Sequence, residues 1–229
     1  MSKEAKGKKK VVKTDTYESL KAMYNSGKVK PTLNKIIAAL EKDSENIEFI
    51  QLACKCLERT KDIDKLAIYA DLLIKLDPKN ANGYYYKAVV LKNTKGKEQE
   101  ALKNFNEALV LDPDNTIYLK SKASTHFALY TDYHLPLKFA EKHRVKTEES
   151  LLKIVELIEQ KENPDYIELL TLADVFILLS KGIRAKKNYR KAVMLYNATD
   201  EANQDKNIFK DITKAQNACQ KFLDKVTDE

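Results

Sequence analysis

Three histidines, three cysteines and one dense run of cations are the residues in this chain best suited to chemistry. Histidine serves as a general base or a metal ligand near neutral pH. His126, His134 and His143 stand eight and nine residues apart, which does not put them on adjacent turns of one helix. His126 falls on an apolar stripe and reads as a core histidine rather than a ligand. Cys54 and Cys56 point to different faces of a helix and make a poor zinc or redox pair. With Cys219 they form an odd set without metal spacing, which fits buried thiols in a reducing compartment. No Gly-rich phosphate loop, G-x-S-x-G or H-E-x-x-H occurs. Glu148-Glu149 and the Glu156, Glu159 pair read as solvated helix faces. The expectation is a non-enzymatic protein with no catalytic residues, no metal site and no cofactor.

The cations suggest a surface instead. Lys181, Arg184, Lys186, Lys187, Arg190 and Lys191 fall within eleven residues around Tyr189. Arg184, Lys187 and Lys191 share one helix face at three- and four-residue spacing. Such a face is either simply solvated or a contact for RNA phosphate or an acidic protein. No RNA-binding fold signature accompanies it, so sequence-specific base reading is not supported. A second basic segment opens the chain. Residues 1–30 hold nine lysines against Glu4, Asp15 and Glu18, a net +6 of the formal +7. The other 199 residues therefore carry only about +1. Residues 1–13 offer too little apolar surface to offset their ordering entropy and are expected to form a disordered basic tail. Its roles would be solubility, nuclear import, or tethering to RNA or another acidic surface.

The elements that position these residues are helices. Charged residues make up 33 % of the 229, with only five Gly and five Pro, the profile of a helix-rich chain. No apolar run approaches eighteen residues, and the N-terminus lacks an apolar core. No membrane insertion and no secretory signal are expected, and the localisation reads as cytoplasmic or nuclear. A first helix starts near Thr14–Thr16, where a Thr hydroxyl caps free amides, and ends at Ser26-Gly27. A second begins near Pro31, with Leu33, Ile36, Ile37, Ala39 and Leu40 inward. A third is marked by Ile50, Ala53, Cys54 and Leu57, and a fourth by Ala67, Ala70, Leu73, Ile74 and Leu76. The fourth closes on Leu76-Asp77-Pro78-Lys79-Asn80. Leu111-Asp112-Pro113-Asp114-Asn115 repeats that close 35 residues later. Proline lacks an N–H and clashes with the preceding turn, so it stops one helix and sets the entry angle of the next.

Between these closes lie Tyr84, Lys87, Ala88 and Leu91, a turn at Gly96, and then Ala101, Phe105, Ala108 and Leu109. This stretch resembles the tetratricopeptide-repeat (TPR) pattern of W-x2-L-G-x2-Y, A-x3-F and a closing Pro, with a period of 34 residues. The resemblance covers about 13–199, strongly in 47–115 and 166–195. It implies an all-α, right-handed superhelix of about five helix pairs: 13–46, 47–80, 81–115, 116–149 and 166–199. A polar-faced capping helix at 206–227 follows, since stacked repeats need a terminal cap. The third pair carries one extra residue, between Leu91 and Gly96. The fourth is degenerate, with about sixteen surplus residues up to 165 by the repeat period. Either the helix beginning near His134 is extended or an extra helix is inserted, and Thr147 followed by Glu148 and Glu149, which would cap a new helix, favours the insertion. Asn163-Pro164-Asp165 starts the fifth pair, and Ile177-Leu178-Leu179 implies cover on more than one side.

The resemblance also implies that Tyr84, Ala88, Ala101, Phe105, Ala108 and Pro113 are packing positions. First helices of each pair would line a concave groove for a peptide or partner helix. Its groove positions here are Gln51, Lys55, Asn82, Tyr85, Val89, Lys92, Lys120, Ser124 and Phe127. A groove mixing Tyr, Phe and Lys suits an acidic or amphipathic peptide. The Lys, Asn and Arg set with which chaperone-binding relatives hold a C-terminal carboxylate is not assembled. Gln51, Lys55, Tyr86, Ile117 and Ser121 stand at those places in one window. The expected function is a protein-interaction adaptor or scaffold subunit of a larger assembly. The alternatives are a ribonucleoprotein subunit touching RNA through the tail and the 181–191 cluster, and a co-chaperone without the conventional clamp.

Overall fold

The structure, a computed structural model, describes residues 16–132, 134–179, 181–199 and 217. The expected basic tail lies outside the described residues, as does the expected capping helix apart from Asn217. Ten helices occupy the described residues in five antiparallel pairs, an α–α solenoid without strands among those residues. They are α1 (Tyr17–Asn25) with α2 (Val29–Leu40), α3 (Ile47–Thr60) with α4 (Ile63–Leu76), and α5 (Ala81–Lys92) with α6 (Glu98–Leu111). Then come α7 (Thr116–Tyr130) with α8 (Leu137–Glu159), and α9 (Tyr166–Leu178) with α10 (Gly182–Ala198). Each helix packs on its sequence neighbours, and the first helices of successive pairs also touch, α1 on α3, α3 on α5 and α5 on α7.

Local chemistry sets the boundaries. Thr16 caps α1 in a capping box with Ser19, and Gly27 turns the chain at φ 85°. The second helix starts at Val29, two residues before Pro31, which sits in the first turn, where its missing N–H has no intrahelical partner to lose. Asn46, Asn80 and Asn115 cap α3, α5 and α7, each side-chain oxygen accepting a backbone N–H of the new helix. Each also donates its amide to an aspartate three residues back: Asp43 at 3.0 Å, Asp77 at 3.3 Å and Asp112 at 2.8 Å. The junction is therefore built by D-x-x-N, and it occurs a third time, at Asp43–Asn46, without the proline.

The fourth pair departs from expectation. No helix begins at His134 or is capped by Thr147. The eighth helix runs unbroken for 23 residues from Leu137, behind Pro136 at its N-cap. The buried Thr147 hydroxyl donates to the His143 carbonyl at 2.9 Å, so it bonds back into the helix rather than capping a new one. Asp165 then starts α9 through a capping box with Glu168. The core forms two clusters. One runs from Leu20 to Tyr118, and the other from Leu119 to Tyr196, so α7 belongs to both. Ala88, Ala101, Phe105 and Ala108 are fully buried within the first, while Pro113 is exposed at the helix end. The ninth helix buries seven side chains, although Leu178 stays 44 % exposed.

Candidate partner-binding groove

The first helices α3, α5 and α7 carry the expected groove residues, and several of them bond across helix boundaries. On α5, Asn82, Tyr85, Val89 and Lys92 recur at three- and four-residue steps and so share one face. Tyr85 donates its hydroxyl to Glu58 of α3 at 2.7 Å. Its ring stacks on Tyr118 of α7 with centroids 4.8 Å apart. Tyr118 in turn donates its hydroxyl to the Asn82 side chain at 2.9 Å. The Lys92 ammonium donates to the Ser124 hydroxyl of α7, and Lys120 of α7 pairs with Asp174 of α9. Tyr189 of α10 donates to the other Asp174 oxygen at 2.7 Å. Three polar and aromatic groups, Glu58–Tyr85–Tyr118–Asn82, Lys92–Ser124 and Lys120–Asp174–Tyr189, thus form a seam of side chains from α3 to α9.

This seam changes what the groove residues can offer. Tyr85 and Val89 are 5 % and 8 % exposed, so they belong to the core rather than to an open surface. Asn82 and Lys120 are half-buried and engaged with Tyr118 and Asp174. Lys55 and Phe127 are exposed, and Gln51, Lys92 and Ser124 are half-buried. Phe127 packs edge-on to Tyr130, another exposed aromatic on the same helix. Glu58, Tyr118 and Asp174 are seam residues outside the expected groove set. Glu58 alone carries a signal in the sequence, since it stands seven residues after Gln51 and three after Lys55, on the same helix face. Burial pushes the Glu58 carboxyl up, while the Tyr85 hydrogen bond, Lys55 and Lys92 hold it down. Burial also pushes the Lys92 ammonium down, with Glu58 opposing.

The cation run on α10 divides in two. Arg184 is a strut: its guanidinium pairs with Glu159 of α8 and lies 4.2 Å over the Phe176 ring of α9. Its charge is therefore shared with the fold and not free with Lys187 and Lys191. Lys186 is half-buried, and Lys181, Lys187, Arg190 and Lys191 are exposed. Lys187, Arg190 and Lys191 form no ion pair with a described residue and lie on one face with the exposed Ile183 and Met194.

The remaining chemical candidates that are described lie inside the fold, apart from His134. Among the described residues no group of three or more His, Cys, Asp or Glu is placed to hold a metal ion. Cys54 and Cys56 are free, fully buried thiols on α3, and burial pushes both up, Cys56 to about 12. Cys219 lies outside the described residues. His126 and His143, which spacing along one helix kept apart, meet across the α7–α8 interface with Nδ1 atoms 2.6 Å apart. Both are buried.

No family model matches the sequence, and no curated protein matches it. Solved structures do match. A thermophilic TPR protein, TTC0263 of Thermus thermophilus, superposes with a TM-score of 0.61 at 17 % identity, over 87 % of this chain and 96 % of that one. MamA (residues 41 to the end) from Desulfovibrio magneticus RS-1 gives 0.48 at 15 % identity, over 81 % and 96 %. A tetratricopeptide repeat protein from Parabacteroides merdae ATCC 43184 gives 0.43 at 13 %, over 89 % and 82 %. The first of these likenesses, with the five antiparallel pairs, shows that the chain has the tetratricopeptide-repeat fold.

Proposed function

We propose that this chain is a non-enzymatic adaptor that binds a protein partner along the face formed by α3, α5, α7 and α9. The observation that carries this reading is the seam. It links the four first helices through side chains, with Lys55 and Phe127 exposed and the Lys92–Ser124 pair half-buried beside it. Rigid, pre-bonded side chains lose little entropy on association. A long face with cations at Lys55 and Lys92 and an aromatic anchor at Phe127 suits an acidic amphipathic peptide or helix. The chain would then be a scaffold subunit of a larger assembly. Affinity capture with quantitative mass spectrometry tests this. A stoichiometric protein is expected with the wild type and is lost, at least tenfold, with Lys55→Glu/Phe127→Ala. Those sites are exposed, so the fold is spared, unlike a change at buried Tyr85. Equal recovery by wild type and variant contradicts the reading.

A second reading rests on α10, where Lys187, Arg190 and Lys191 share one face without carboxylate partners among the described residues. Here the chain would touch RNA phosphate as part of a ribonucleoprotein. Three phosphate contacts to a single strand give a slope of log K against log salt of about −2. Neutralising the three cations should flatten that slope, and no RNA binding at low salt removes the reading.

A further inference from the structure

An open, solvent-facing cleft of about 260 Å³ lies where the end of α6, α7 and α8 meet. It lies at the boundary of the two core clusters: Leu109 packs against both, and Leu119 is the first member of the second. Leu109, Pro113 and Leu119 give it an apolar side, and Lys122, Glu149 and Lys153 a charged one. The α7 residues here, Leu119 and Lys122, are not on the face that carries Lys120, Ser124 and Phe127 into the groove. The site is therefore separate from the proposed partner face.

Its charges are unevenly satisfied. Lys153 is anchored, its ammonium 3.0 Å from the Pro113 carbonyl oxygen and 3.1 Å from an Asp114 carboxylate oxygen. Glu149 pairs with Lys146 at 2.6 Å. Lys122 is half-buried and makes no hydrogen bond or ion pair with a described residue. Burial holds its ammonium below the ordinary lysine range. Lys146 and Lys153 push the same way, and Glu149 opposes them. A partly desolvated cation beside two others gains most from an anion that it does not yet have.

We propose that this cavity binds a small organic phosphate, with the phosphoryl group on Lys122 and Lys153 and an apolar carrier against Leu109, Pro113 and Leu119. Lysine suits that role because it offers compact charge without demanding bidentate geometry. The volume lies just under the usual range for ligand pockets, about 300–1,000 Å³, so the carrier is the size of one ring. An occupant here would join α7 and α8 to the α6–α7 corner and stabilise the fold by mass action.

Phenyl phosphate is the probe, followed by calorimetry and thermal unfolding at fixed ionic strength, with phenol and sodium chloride as controls. Phenyl phosphate is expected to bind and to raise the unfolding midpoint, while phenol and chloride do neither. Lys122→Gln should weaken binding at least tenfold without lowering the midpoint of the free protein, since no bond of Lys122 is lost. Glu149→Gln, which removes the cavity's own carboxylate, should tighten binding severalfold, an outcome that misfolding cannot mimic. Lys187→Gln on α10 should leave it unchanged. Absence of binding, equal binding of phenol, or Lys122→Gln binding as well as wild type would overturn the proposal.

Discussion

At the residue scale the His126–His143 pair joins α7 to α8 through two side chains seventeen positions apart. Only one proton fits between Nδ1 atoms 2.6 Å apart, so one ring donates and the other accepts. Phe139 covers His143 with ring centroids 4.5 Å apart. Burial, then His143, Lys122 and Lys146, lower His126 from 6.5 to about 4, with Glu149 opposing. His143 is lowered too, by burial and then Lys142. A depressed histidine pKa means that the unfolded chain binds more protons than the folded one between the two values. Stability contributed by the neutral pair is therefore present above about pH 6.5 and is lost as pH falls toward about 4. For His126 the loss is on the order of 2–3 kcal/mol. Denaturant unfolding of His126→Gln between pH 7.5 and 4 is expected to show a flatter pH dependence than wild type, and an identical slope would show that the pair does not titrate this way. This pair was not legible in the sequence, because spacing along one helix says nothing about what a neighbouring helix brings opposite. The same limit hid which groove residues are free. Tyr85–Glu58, Lys92–Ser124, Asn82–Tyr118 and Lys120–Asp174 join positions 27, 32, 36 and 54 residues apart.

At the element scale the sequence was far more informative. Apolar stripes and two L-D-P-x-N closes located α3 to α6, because helix periodicity and a proline stop are local physics. The junction chemistry was only half legible. The proline stop is legible along the chain, whereas the Asn that caps each new helix and the Asp that holds that Asn show their roles only in their hydrogen bonds, which Asp43–Asn46 repeats without a proline. In the fourth pair the repeat period leaves a surplus that either an added helix or a longer one accounts for. The chain lengthened α8, because Thr147 is buried and bonds to the turn before it. Close packing of α4 on α5 gives a sharp test. A Cβ at Gly83 would stand 2.8 Å from the Ile74 Cγ1 and 3.3 Å from its backbone nitrogen. Alanine normally favours a helix over glycine by about 1 kcal/mol, yet Gly83→Ala is expected to destabilise here by about 1–3 kcal/mol. Adding Ile74→Ala should recover part of that loss by removing Cγ1. A stabilised Gly83→Ala single variant would contradict this account of the α4–α5 contact.

At the scale of the whole molecule, two core clusters share α7, and one seam runs across the first helices from α3 to α9. No helix among the described residues is long and apolar enough to cross a membrane. The basic character is concentrated at the start of the chain, which leaves the repeat body close to neutral. A near-neutral stack would recognise a partner through placed side chains rather than through a broad field. The exposed side chains beside the seam, Lys55 and Phe127, and the half-buried Lys92 and Ser124 would make that choice. Amide hydrogen exchange on the protein with and without its captured partner tests this claim most directly. Added protection concentrated in α3, α5 and α7, and lost together with the partner in Lys55→Glu/Phe127→Ala, is the predicted result. Protection confined to α10 or to α4 and α6, with the first helices unchanged, would contradict it.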